Sequence, residues 1–301
     1  MAHLELEKVK DVSAFRKIAI GTWRTAYDPS VYGTMEVEMD RAMDYLARFR
    51  DATGLRVTVS HLMAKAMAAA LERTPDMNAI LRWSRIYRRK QIGVFFQVAM
   101  TDEGEDKIDL SGACLYDVEK KDLATIVAEF EEKVDKVRKR QDPALEKTRQ
   151  GFKRMPFFLM HKLLKLVSFF QYTLNIPLPG VPRDPFGSIM ITNIGSLGLD
   201  MAYVPLVPYS RVPILLAVGA VKAVPVVRDG EVVVRQMMKV NATFDHRFID
   251  GYHAAVMSKV VHRFFSDPEK YFGPIPAGVA LPAPAASGEA RAVNPLAGLA
   301  E

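Results

Sequence analysis

Cysteine is almost missing from this 301-residue chain, which holds only Cys114. One thiol excludes a disulfide scaffold and any cysteine-rich zinc module, and it suits a reducing compartment. Long apolar runs are missing as well. The most hydrophobic stretch, Phe157 to Ile176, is interrupted by His161, Lys162, Lys165, Ser168, Gln171 and Asn175. A membrane span needs about 20 mostly apolar residues without such breaks. The opening residues, Met1 to Lys10, are polar and charged and lack the apolar centre of a secretory leader. A cytoplasmic protein is therefore expected. There is no Walker loop, no dinucleotide glycine loop and no repeat at a solenoid period. Charge of one sign is not in large excess: 41 Lys+Arg against 35 Asp+Glu leave +6. That is mild for a nucleic-acid binder, so no nucleic-acid partner is expected; an anionic small ligand or a membrane surface suits it equally well.

What is present is ordinary globular material, 49% hydrophobic and 25% charged, long enough for one large domain or two small ones. Ser60 is placed to cap a helix that runs to about Thr74, with Leu62, Met63, Ala66, Met67, Ala70 and Leu71 on one face and Pro75 as its stop. Two β-like stretches follow, Leu81 to Arg88 and Ile92 to Met100. Leu123, Ile126, Phe130, Val134 and Val137 then recur at helical spacing. The outer face of that helix ends in a basic run, Arg138 to Arg140, which reads as solvated. The C-terminal half is mainly strand: Ser188 to Asn193, Val212 to Gly219, a hairpin around Asp229–Gly230, and the alternating Lys239 to Asp245. A helix from about Tyr252 to Phe265 completes the domain. The proline- and alanine-rich residues 274–301 read as a flexible tail.

The stretch richest in chemistry is Asp245–His246–Arg247–Phe248–Ile249–Asp250–Gly251. A strand delivers a histidine into a turn, and four residues later an Asp–Gly pair opens a helix. A plain structural reading is available for each residue: Asp250 is a good N-cap, and a histidine at a strand end is usually structural. Likewise Thr192 reads as an ordinary strand threonine and Asn193 as a turn residue. His61 and His253 read as helix residues beside a cap or core, and Cys114 as buried rather than reactive.

The order of several blocks adds a second reading. Phe15–Arg16–Lys17–Ile18–Ala19, Glu36 to Asp40, His61 to Ala79 ending in Pro75–Asp76–Met77–Asn78–Ala79, Ile191–Thr192–Asn193–Ile194–Gly195, Ala217–Val218–Gly219 and the D-H-R-x-x-D-G turn stand in sequence. Together, over roughly residues 8 to 270, they resemble the catalytic domain of the dihydrolipoamide acyltransferases of 2-oxoacid dehydrogenase complexes, with the chloramphenicol acetyltransferases as relatives. The resemblance implies an α/β fold, a chloramphenicol acetyltransferase-like two-layer sandwich around a mixed β-sheet, assembled as a homotrimer. It implies His246 as general base, Thr192 of an adjacent subunit as hydroxyl donor, and Asp250 in an ion pair with an N-terminal arginine. Arg24 is the candidate for that arginine, with Arg16 as the alternative. Coenzyme A is the implied substrate and no metal is needed.

Physical chemistry is consistent with such roles. Thiols titrate near ~8.5 and imidazole near ~6.5, so a neutral ring can take a thiol proton during attack and return it to the leaving thiolate. General-base help is worth about 10²–10⁴-fold, and one oxyanion donor about 10²–10³-fold.

Three features depart from the family. Only a few residues precede the match, so a lipoyl group is expected from another protein, either a lipoyl carrier or a component of a dehydrogenase complex. Asp109 to Cys114 reads as a loop replacing the family's segment of valine, proline and isoleucine. Residues 142–187 read as an insertion whose centre, 155–176, is an amphipathic helix, serving as extra core or trimer interface, or as a peripheral membrane contact. Alternatives to thiol transfer are acylation of a small hydroxyl or amine acceptor and a non-catalytic trimeric scaffold.

Overall fold

The computed structural model describes residues 3–10, 29–101, 108–138, 157–179 and 181–276. In chain order its first half holds β1 (Leu6–Lys8), β2 (Ser30–Glu38), α1 (Asp40–Thr53), α2 (Val59–Arg73), β3 (Ala79–Arg82), β4 (Arg85–Arg89), β5 (Gly93–Thr101), β6 (Ile108–Tyr116) and α3 (Leu123–Arg138). Then come α4 (Phe157–Ser168), β7 (Ile189–Asn193), β8 (Ile214–Arg228), β9 (Glu231–Asp245), α5 (Gly251–Ser266) and α6 (Pro268–Phe272).

The main sheet is mixed, with strand order β2-β9-β8-β7-β5-β6. β7 runs parallel to both neighbours, β5 and β8, and the remaining pairs are antiparallel. Parallel pairs require crossovers, and the long connections before β7 and β8 supply them. One face of the sheet packs on α1, α2, α3 and α5, burying Val37, Phe96, Leu115, Ile189, Ile191, Leu216 and Val240 against Leu62, Met67, Ile126 and Val261. Each such side chain contributes about 1.5–3 kcal/mol by leaving water. α2 can sit close to the sheet and to α5 because Ala64, Ala66, Ala68 and Ala70 are all buried and small.

Local chemistry moves several element boundaries from the sequence reading. The cap of α2 is Thr58, not Ser60: its backbone N–H donates to His61 Nδ1 at 3.1 Å, and His61 N–H returns to the Thr58 carbonyl at 3.0 Å. Leu81 to Arg88 is two strands rather than one. Trp83 and Ser84 both adopt positive φ, at 50° and 58°, and close a tight hairpin of the kind usually made by Asn–Gly. Asp109 to Cys114, expected as a loop, is most of the edge strand β6, paired antiparallel with β5. Gly112 is needed there, because a Cβ at that position would lie 2.1 Å from the Phe95 ring. The hairpin at Asp229–Gly230 is far longer than the short runs around it suggested: β8 and β9 pair over fifteen residues each, with an irregularity between Val218 and Val221.

The 155–176 helix is α4 followed by a wider π-wound turn, Phe169–Leu174, which Asn175 ends in the left-handed region at φ 60°. Tyr172 from this turn is buried with Leu4 and Ile80 on a three-stranded sheet of order β1-β4-β3. Arg82 Nε donates to the Thr173 carbonyl at 3.0 Å, and the buried Arg89–Asp184 pair, 3.2 Å apart, fastens the segment that follows. Leu166, Phe169, Ile176 and Trp83 remain exposed. Among the described residues no helix is long and apolar enough to cross a membrane.

Candidate active site

β9 ends at Asp245 and hands the chain to a turn that is held from several sides. Asp245 N–H donates to the Pro213 carbonyl at 2.9 Å, and His246 N–H to the Pro29 carbonyl at 2.8 Å, so the turn is tied to the starts of β8 and β2. Arg247 folds back on Asp245. Its Nε lies 2.9 and 3.1 Å from the two carboxylate oxygens and its Nη2 lies 2.5 Å from one of them, with both side chains buried. Phe248 and Ile249 anchor the turn in the main core. A planar fork on a carboxylate in a dry site fixes geometry as well as charge.

Between these anchors stands His246. Its Nδ1 is 2.7 Å from the Ile249 carbonyl oxygen. A carbonyl only accepts, so Nδ1 carries the proton, and in the neutral ring Nε2 carries the lone pair. That is the tautomer a general base requires.

Asp250 is the N-cap of α5. Its Oδ1 accepts from Tyr252 N–H at 3.1 Å and His253 N–H at 3.3 Å, and His253 Nδ1 lies 2.7 Å away. The structural reading of both residues therefore holds, and His253 completes a reciprocal capping box. Arg24 and its alternative Arg16 lie outside the described residues, as does the Phe15 to Ala19 block.

Thr192 sits near the end of β7. Ile189 and Ile191 face the main core, while alternation turns Met190 and Thr192 to the other side of the sheet, toward a cleft of about 680 Å³. Phe95, Phe186, Val207 and Leu215 give this cleft apolar walls, and Lys133, Lys136 and Arg183 stand among its lining residues. Cys114, expected to be buried, is only half-buried on the cleft wall; desolvation still pushes its thiol up to about 12. Asn193, expected as a turn residue, is the last residue of β7 and pairs with Val218; its Oδ1 accepts from Ser196 N–H at 3.1 Å and so starts the turn that follows. The reason for a glycine at 195 is a backbone-on-backbone approach, since a Cβ there would lie 2.6 Å from Gly219. Two of the sequence blocks thus meet at their glycines.

Thr192 and His246 are not brought together within one chain. Thr192 pairs with Ala217 and Ala217 with Asn241, so Thr192 lies two strands away from β9 and level with a residue five positions before His246. At about 3.3 Å per residue and about 4.8 Å per strand this is roughly 19 Å. Sequence reasoning missed the Asp245–Arg247 clamp, although both residues stand in the motif, and it missed Arg211, for which no local signal exists. Among the described residues no three of His, Cys, Asp and Glu converge as metal ligands would.

Comparison with known proteins places the family and the fold. A sequence model of the 2-oxoacid dehydrogenases acyltransferase catalytic domain matches residues 6–150 and 186–273, leaving 151–185 unmatched. The lipoamide acyltransferase component of the branched-chain alpha-keto acid dehydrogenase complex of Pseudomonas putida is 36% identical over 87 residues, 28% of this chain and 20% of that protein. The dihydrolipoyllysine-residue acetyltransferase component of the Bacillus subtilis pyruvate dehydrogenase complex is 37% identical over 82 residues, 27% of this chain and 18% of that one. The aligned stretch is thus about a fifth of the length of either relative. Among solved structures, the cubic core of a pyruvate dehydrogenase complex superposes with a TM-score of 0.59 at 21% identity, covering 88% of this chain and 94% of the other. A probable dihydrolipoamide acetyltransferase from Listeria monocytogenes gives 0.58 at 17% identity, covering 87% and 95%. The mixed α/β acyltransferase-core fold expected from the sequence is the fold found. With its family's model matched over most of its length, the chain belongs to the 2-oxoacid dehydrogenase acyltransferase family by its catalytic domain.

Proposed function

We propose that the protein is a coenzyme-A-dependent acyltransferase that moves an acyl group between a thioester and a thiol of the dihydrolipoamide type. The observation that carries this reading is the His246 Nδ1–Ile249 carbonyl bond, which leaves Nε2 as the basic nitrogen. In the forward step Nε2 takes the thiol proton as the sulfur attacks the thioester carbonyl. A tetrahedral oxyanion forms and accepts a hydrogen bond from the Thr192 hydroxyl. The carbon–sulfur bond to the departing thiol then breaks, and the imidazolium returns its proton to that thiolate. One thioester is consumed and one formed, so no oxidant or metal enters the balance.

The separation of Thr192 from His246 within a chain favours a site shared between neighbouring copies, consistent with a homotrimer. Asp250 serves this site by opening α5 directly behind the histidine turn. In a homologous core from Azotobacter vinelandii, a serine, a histidine and an asparagine have been probed for catalytic roles; here Thr192, His246 and Asp250 are the residues proposed to share the work.

The test is turnover of acyl-CoA with dihydrolipoamide by wild type and His246→Ala. A loss of about 10²–10⁴-fold with an unchanged thermal midpoint is expected. Equal turnover in both proteins contradicts the reading, and no turnover in either supports the scaffold alternative instead.

A further inference from the structure

A second cleft, of about 560 Å³, adjoins the His246 turn. One wall is α4, through Leu164, Lys165 and Ser168; another is the chain leading into β8, including Arg211; Asp245 and Arg247 form the side toward His246. α4 and Ser168 belong to the stretch 151–185, which lies outside the match to the family model.

Arg211 is the unusual member. Its backbone is left-handed, at φ 56°, a conformation that costs a non-glycine residue of order 1 kcal/mol and persists only where the surroundings impose it. They do so here. Buried Arg89 donates from Nη2 to the Arg211 carbonyl at 3.3 Å, and Arg211 Nε donates to Ser168 Oγ at 3.2 Å. Among the described residues no carboxylate pairs with the Arg211 guanidinium. The acidic side chain lining the cleft, Asp245, is already held by the fork of Arg247. Burial, with the nearby Arg247 charge, lowers the hold of Arg211 on its proton. A half-buried guanidinium with a hydroxyl as its side-chain partner, beside an exposed Lys165, is poorly balanced on its own. An incoming anion would balance it.

We propose that this cleft is an anion subsite of the transfer site, in which Arg211, with Lys165 at the mouth, holds a carboxylate or phosphate group of a substrate beside the His246 turn. The inference rests on the acyltransferase reading. The anion has two chemical sources, the terminal carboxylate of a dicarboxylic acyl group or the phosphates of the coenzyme.

Four thioesters separate them: butyryl and glutaryl groups, each on coenzyme A and on N-acetylcysteamine, which has no phosphate. With Arg211→Gln, kcat/KM is expected to fall by about 10–100-fold for one pair only. Loss on both glutaryl thioesters, with both butyryl ones spared, assigns the acyl carboxylate. Loss on both coenzyme A thioesters, with both N-acetylcysteamine ones spared, assigns the phosphates. Arg211→Lys should recover part of either loss. Equal change on all four, or none, overturns the proposal. Should Arg211→Gln not fold, Lys165→Glu at the exposed mouth carries the same comparison. Calorimetric binding of glutarate and of adenosine 3′,5′-bisphosphate to His246→Ala protein, with and without Arg211→Gln, judges the cleft independently of turnover. Arg211-dependent binding of either probe supports the subsite even where the transfer reading fails, and binding of neither overturns it.

Discussion

Acidification from pH 7 to pH 5 is expected to weaken the fold through His61. Its ring is 1% exposed and lies against Phe96 and Phe130, with centroids 5.8 and 4.8 Å away. Its Nδ1 accepts the Thr58 N–H, which only a lone pair can do. Burial, helped by the positive charge of Arg50, lowers its pKa from 6.5 to about 4. The folded value lies below the unfolded one, so the stabilisation is complete above the unfolded pKa and is lost as pH falls from there toward the folded pKa. A gap of that size corresponds to roughly 3 kcal/mol in all, of which about 2 kcal/mol falls between pH 7 and pH 5. Urea unfolding at both pH values measures it. His61→Gln supplies a carbonyl oxygen to the Thr58 N–H in the usual capping-box manner without titrating. The variant should lose about 2 kcal/mol less than wild type over this interval. His3, which burial also lowers to about 4, acts equally in both proteins and cancels. The same pH-dependent loss in both would refute the reasoning.

Asp245→Ala leaves the Arg247 guanidinium buried without its carboxylate and should cost about 3–5 kcal/mol in urea unfolding. Asp250→Ala removes the acceptor of two helix N–H groups and should cost about 1 kcal/mol by the same measurement. With its thiol pushed up to about 12, Cys114 should resist iodoacetamide at pH 8 in the folded protein and react once urea unfolds it, as mass spectrometry would show.

The turn from Asp245 to Gly251 stood out because its residue types are local: the histidine at a strand end and the Asp250 cap lie within seven residues. Amphipathic helices with clean spacing, such as α3, were readable for the same reason. What stayed hidden was the fold-back of Arg247 onto Asp245 and the Ile249 carbonyl as the histidine's partner, which only the turn's own conformation brings together. The errors arose where tertiary contacts decide. β6 contains Gly112, a weak strand former, whose presence makes sense only under the Phe95 ring of the neighbouring strand. Trp83–Ser84 lacks every composition signal of a tight hairpin and turns because β3 and β4 pair on both sides of it. In α2, Ser60 is the better cap by type; the side chain of His61, which accepts the Thr58 N–H, selects Thr58 instead. Arg211 had no signal at all, since its conformation is imposed by Arg89, 122 residues earlier in the chain.

The central claim is that catalysis needs His246 from one copy and Thr192 from another. His246→Ala and Thr192→Ala, each nearly inactive alone, should be unfolded together, refolded as a mixture and assayed for acyl transfer to dihydrolipoamide. In random mixed trimers about a quarter of the shared sites regain both side chains, so the mixture should show roughly a quarter of wild-type activity. A mixture no more active than the two variants refolded separately would contradict the account.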